Sequence, residues 1–178
     1  MRVAERLISS IDRLDRSIGE IVKWLVVAMV LVEFANVVLR YVFAIGILAA
    51  QQSVVYMHAL VFMLAAGYAL MADAHVRIDI LYREAPPRRR ALVDLAGALL
   101  LLLPFCAAVF WLALPYVGHA WAALEGSTET GGLPFVYLLK SVILLFAILL
   151  ALQGLALALR AGLALGTGAG RYDAAARG

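Results

Sequence analysis

Cysteine is almost missing from this sequence: Cys106 stands alone, inside an apolar run. No disulfide can close within the chain, and a thiol oxidase that needs several cysteines is excluded. Cys106 itself reads as a small lipid- or helix-facing residue. Charge is also scarce. Asp, Glu, Lys and Arg make up 15% of the residues, against about 25% in an ordinary soluble domain, and residues 41–72 contain none of them. Histidine is limited to His58, His75 and His119. No two of these fall at matching depth, as paired axial ligands would have to, so a membrane haem protein is not expected. The chain has no P-loop, no HExxH and no defensible Ser/His/Asp arrangement. An enzyme is not expected, and neither a metal nor a bound cofactor is implied.

What fills the chain instead is hydrocarbon. Apolar residues make up 65% and the mean hydropathy is +0.96. A spanning helix needs about 20 mostly apolar residues, and four such stretches occur. The expected fold class is an all-α membrane protein with four transmembrane helices at about 23–43, 51–72, 93–116 and 139–160. A turn near Gly46 divides the first two, and Pro104 is tolerated inside the third. The basic pI of about 9.2 reflects anchoring beside anionic lipid rather than nucleic-acid binding.

The four spans leave residues 1–22, a connection at 73–90, a loop at 117–137 and a Gly/Ala-rich tail at 161–178, which reads as flexible. Residues 1–22 read as an amphipathic helix rather than a cleavable signal. Val3, Leu7, Ile11, Leu14, Ile18 and Ile21 recur at steps of three and four. A helix lying in the membrane interface is the first expectation; a soluble helix docking on a partner is the second.

Lys and Arg set the orientation. Arg2, Arg6, Arg13, Arg16 and Lys23 precede the first span, Arg77, Arg83, Arg88, Arg89 and Arg90 sit in the 73–90 connection, Arg160, Arg171 and Arg177 follow the last span, and residues 117–137 have neither type. The positive-inside rule places both termini in the cytoplasm. Trp24, Tyr41, Tyr116, Trp121 and Tyr137 fall near the expected interfaces, as an aromatic belt requires.

Three groups of residues stand out. Glu33, Asn36 and Arg40 lie within an arc of about 60° on the first span at 100° per residue. An ion path, a proton relay or a helix contact would each produce such a stripe; contact with a partner subunit is favoured, because a central charge must face protein or water. In the 73–90 connection, His75, Arg77 and Asp79 alternate with Val76, Ile78 and Ile80. They read either as a solvated helix end or as an ordered cytoplasmic clasp. In the 117–137 loop, Glu125, Ser127, Gly131, Gly132 and Pro134 form a turn-rich segment. It reads as a connector or as a docking loop for a soluble periplasmic partner.

Ordered short blocks then suggest a family. They are Asn36 with Arg40, Tyr41, Val42 and Phe43; Tyr56, His58 and Phe62 to Leu64; His75 to Asp79; and Leu103 to Cys106. Glu125 and Ser127 follow, then Gly131 to Pro134, Leu138 to Ser141, and Gln153 with Gly154. In this order, on four spans, the chain resembles the small membrane subunit of tripartite ATP-independent periplasmic (TRAP) transporters over about residues 5–160. The details look most like the mannitol or chloroaromatic branch. At the start of the second span many members carry an acidic residue; here Gln51 and Gln52 stand in its place.

The resemblance implies a non-enzymatic subunit of a bacterial inner membrane transporter. A large multispan subunit would carry the substrate and sodium sites. A periplasmic solute-binding protein would deliver an organic acid or similar solute, with uptake driven by an ion gradient. The small subunit would brace the large one and help dock the binding protein. Asn36, Arg40 and Tyr41 match the family pattern at the implied large-subunit contact; His58 is added from the Tyr56 to His58 block, and Glu33 on its chemistry alone. The alternative is a stand-alone, homodimeric four-span transporter.

Overall fold

The structure is a computed structural model that describes residues 2–74 and 85–167. Its helices are α1 (Arg2–Val42), α2 (Leu48–Met71), α3 (Pro87–Gly97), α4 (Leu103–Ala122) and α5 (Val136–Thr167), with a π-helical turn at Ala98–Leu102 joining α3 to α4. Residues 87–122 therefore form one rod. Four rods are long and apolar enough to cross a membrane, as the hydropathy pattern requires.

α5 is the hub. It packs against α1 and α2 on one side and against α3 and α4 on the other, and it is the most buried of the four rods. α1 and α2 pair closely as antiparallel neighbours. The bundle is held by small residues. Ala91, Ala98, Cys106, Ala113, Val117 and Ala120 form the buried seam of the third rod, and Ala147, Gly154, Ala158 and Ala161 lie buried on α5. Lipid tails are as apolar as leucine, so close backbone approach, rather than exclusion of water, favours helix association here.

The π-turn has a local cause and a packing consequence. Pro104 has no N–H to give, and its ring would collide with the carbonyl one α-turn earlier. The chain widens instead, and the Leu103 N–H reaches the Ala98 carbonyl. One extra residue thereby enters the seam. Its spacing runs from 91 to 98, then from 98 to 106, then from 106 to 113, so the widened turn keeps all four residues on α5. The Leu102 side chain beside it presses on Gly154 of α5, where a Cβ would stand 2.8 Å from Cδ2.

The first helix departs from expectation. No break separates residues 1–22 from the first span; α1 runs unbroken across that boundary. The side turned inward takes only part of the apolar stripe, with Ile11 and Ile18 half-buried. Val3, Leu7, Leu14 and Ile21 stay exposed, while Asp15 and Val22 are buried. Polar groups of α5 meet this side of α1, as described below.

Helix ends use left-handed residues that are not glycine. Ala44, Asp73 and Leu124 have φ of 53°, 54° and 43°. They close α2 and α4 with the Ala74 N–H on the Ala69 carbonyl and the Glu125 N–H on the Ala120 carbonyl, the six-to-one bond of a Schellman ending. At α1 the Ile45 N–H reaches the Leu39 carbonyl. The turn expected at Gly46 is thus made at Ala44. α5 continues to Thr167, seven residues past the expected end of the last span, because residues 161–166 are mostly good helix formers.

Candidate functional site

The polar stripe of the first span divides. Asn36 is buried within the bundle, and its Nδ2 takes no partner among the described residues. Glu33 and Arg40 lie on the outside of α1 and are exposed, as are Tyr41 and, on α2, His58. Glu33 stands at the middle of the apolar segment and makes no hydrogen bond or ion pair with the described residues. Around it Val30, Leu31, Phe34 and Val37 are exposed. A central ionised side chain costs about 2.5–3.5 kcal/mol on insertion scales, so this surface calls for a polar cover that hydrocarbon does not provide.

At the end of the bundle that carries the N-terminus, α1 is fastened to α5 by polar groups. Arg160 pairs with Asp12, and Gln153 Nε2 donates to Asp12 Oδ1 at 3.5 Å. One turn along α1, Asp15 is 1% exposed, and so is Gln153. Asp15 rests on α2, where Gly67 offers no Cβ, and Tyr68 of α2 lies over Gly19 of α1. The two helices thus notch into each other twice. Asp12 and Asp15 are not members of the apolar stripe, and periodicity alone gives no reason to bury them. Nothing local signals that their partners lie at 153 and 160.

The opposite end carries the connection between α4 and α5, residues 123–135; it is shorter than the expected 117–137 loop because α4 runs on to Ala122 and α5 begins at Val136. The Ser127 N–H bonds the Leu133 carbonyl at 3.0 Å, the Gly132 N–H bonds the Glu129 carbonyl at 3.1 Å, and the Tyr137 N–H bonds the Glu125 carbonyl at 3.2 Å. Gly131 has φ of 83°, which glycine adopts without strain. Glu125 Oε2 accepts from Lys140 Nζ at 2.5 Å, and that ammonium also sits 4.2 Å from the centre of the Tyr116 ring. Trp121 Nε1 donates to Ser141 Oγ at 2.7 Å, and its ring meets Tyr137 edge to face at 4.8 Å.

Gln52 ties this loop to α2. Its Nε2 donates to Ser127 Oγ at 2.8 Å, and its Oε1 accepts from the Leu133 N–H at 2.7 Å. Gly132 must be small here, since a Cβ would stand 2.7 Å from Gln52 Oε1. The sequence departure at Gln51 and Gln52 therefore has a structural role at one of the two positions. A carboxylate at 52 could accept from Leu133 but could not donate to Ser127. Of the loop residues singled out, Glu125, Ser127 and Gly132 belong to this network, and Pro134 packs on Gly126. The loop thus presents a fixed shape. His75, Arg77 and Asp79, the candidate clasp, lie outside the described residues.

Two shallow notches lie on the third rod, one lined by Gly97, Leu101, Leu102 and Phe105 and the other by Trp111, Leu112, Leu114 and Pro115. Neither brings a charged side chain to a solute. No group of three or more His, Cys, Asp or Glu that could hold a metal ion occurs among the described residues.

Comparison with known proteins gives two matches. Residues 29–163 match the family of tripartite ATP-independent periplasmic transporters, DctQ component. Over 70 residues the chain is 37% identical to the C4-dicarboxylate TRAP transporter small permease protein DctQ of Vibrio cholerae, which covers 39% of this chain and 30% of that relative's length. No solved structure matches.

Proposed function

The chain belongs to the DctQ-component family of tripartite ATP-independent periplasmic transporters, and on that premise we propose that it braces a large, ion-coupled membrane subunit. In this reading the chain is non-catalytic and has no cofactor of its own. Both termini are cytoplasmic, in keeping with the distribution of Lys and Arg. The large subunit carries the substrate and sodium sites, and the gradient drives uptake. A periplasmic binding protein delivers an organic acid or similar solute; the Vibrio cholerae relative is named for a C4-dicarboxylate.

The observation that carries this reading is Glu33. It is exposed at the centre of an apolar helix face and is unpaired among the described residues. Covering that face with a second protein resolves the cost of the charge. Arg40 and Tyr41 extend the contact along α1, and exposed His58 adds to it from α2. Asn36 supports it from behind, inside the bundle. The ordered loop from Glu125 to Pro134 supplies a preformed surface at the periplasmic end for the binding protein. Preorganisation lowers the entropic cost of such a contact.

The test is to tag the chain, extract it gently from its native membrane and identify what accompanies it. One large apolar protein of ten or more spans in equal amount is the expected result. A chain that purifies alone as a colourless homodimer overturns this reading.

A further inference from the structure

We propose that Asp12, Asp15, Gln153 and Arg160 form a binding site for one monovalent cation, a proton or an alkali-metal ion, between α1 and α5. The first argument is charge. Two carboxylates meet one guanidinium, and Arg160 is already paired with Asp12. Asp15 is left as a carboxylate at 1% exposure, and an uncompensated buried carboxylate is costly enough to capture a neutralising charge.

The second argument is independent of the acidic pair. Asp15 Oδ2 and Gln153 Oε1 are both sealed from solvent and accept no hydrogen bond among the described residues. The Gln153 amide is oriented by its Nε2, which points at Asp12, so its oxygen is the free end. One buried acceptor from each helix thus lacks a donor. Protonation removes the Asp15 charge; an alkali ion would be drawn to unpaired oxygens of this kind. A divalent ion fits poorly, because only one carboxylate remains unpaired and a guanidinium stands beside the other.

Asp15 feels the charges of Asp12 on its own helix and of Arg160 on α5, and it packs on Gly67 of α2, next to Tyr68; Gln153 of α5 joins the group through Asp12. A buried carboxyl is cheaper to hold protonated than charged. Protonation of Asp15 therefore favours the folded state, and that stabilisation is lost as pH rises and the carboxylate forms. An alkali ion would then take the place of the lost proton.

The experiment measures the unfolding midpoint of the purified full-length protein, with whatever subunits accompany it. The titration runs from pH 5 to 8 in choline chloride, then in sodium or potassium chloride at equal ionic strength. The wild type is expected to lose several degrees as pH rises, and Asp15→Asn to lose much less. If sodium or potassium restores the midpoint at pH 8 saturably in the wild type alone, the ligand is an alkali ion. If only acid restores it, the ligand is a proton. Equal pH and cation dependence in wild type and Asp15→Asn overturns the proposal. Should Asp15→Asn fail to fold, Gln153→Leu removes the amide oxygen and leaves Asp15. It must then move the transition by about one pH unit, or the half-saturating ion concentration by about tenfold; an unchanged curve overturns the proposal.

Discussion

Asp15 of α1 lies directly on Gly67 of α2: a Cβ built on that glycine would stand 2.7 Å from the carboxylate Oδ1. The next residue returns the contact, since a Cβ on Gly19 would stand 2.7 Å from Cδ2 of Tyr68. Two glycines on two helices thus set how closely α1 and α2 approach, and each receives a side chain from the other.

Gly67→Val should therefore destabilise the protein more than Gly19→Val. The Asp15 side chain is short and buried, so it has little room to retreat, whereas Tyr68 is exposed and its ring can swing outward. Overpacking of this kind costs about 1–3 kcal/mol. Thermal unfolding in detergent checks the order; equal losses would show that α1 and α2 shift as a unit.

Gln52→Leu should loosen the 125–134 segment without disturbing the spans. It removes two hydrogen bonds between α2 and the loop, each contributing about 0.5–1.5 kcal/mol net. Amide exchange is expected to quicken at Ser127 and Leu133 while the centre of α5 keeps its protection. Unchanged exchange in the loop would mean that its own turn bonds suffice.

Glu33→Leu should have opposite effects on the lone chain and on the assembly. Removing the central charge favours the isolated helix in lipid by roughly 2.5–3.5 kcal/mol. The same change should lower the amount of large subunit recovered with the tagged chain, and Glu33→Gln should lower it less. Full recovery with both variants would assign the contact to another face.

The Asp12–Arg160 pair should be measurable but modest. Both side chains keep about a quarter of their exposure, at 27% and 26%, so solvent screens the pair. A double-mutant cycle with Asp12→Asn and Arg160→Gln is expected to give a coupling of about 1 kcal/mol or less, falling as salt is added. A coupling of several kcal/mol would mark the site as drier than its exposure indicates.

Ala44→Gly should stabilise the end of α1. Ala44 holds φ of 53°, a conformation that costs a residue with a Cβ roughly 1–2 kcal/mol and costs glycine little. The gain is read as a rise in the unfolding midpoint.

The sequence by itself determined the class of protein, the number of spans and the face of the first span that carries charge. Those properties follow from local composition: about 20 apolar residues either occur in a row or they do not. The family, too, was legible in short ordered blocks. The inward turn of Asp12 and Asp15 was not. Periodicity sees one helix at a time; it finds the apolar stripe from Val3 to Ile21 and gives no reason to bury a carboxylate beside it. Only the fold brings Arg160 and Gln153 to Asp12 on α1 across more than 140 positions of chain. The same holds for Gln52, which reaches Ser127 and Leu133 from another span, and for the π-turn. In the sequence Pro104 reads only as tolerated within the third span; that the rod widens by one residue at Ala98–Leu102 is visible in the structure alone.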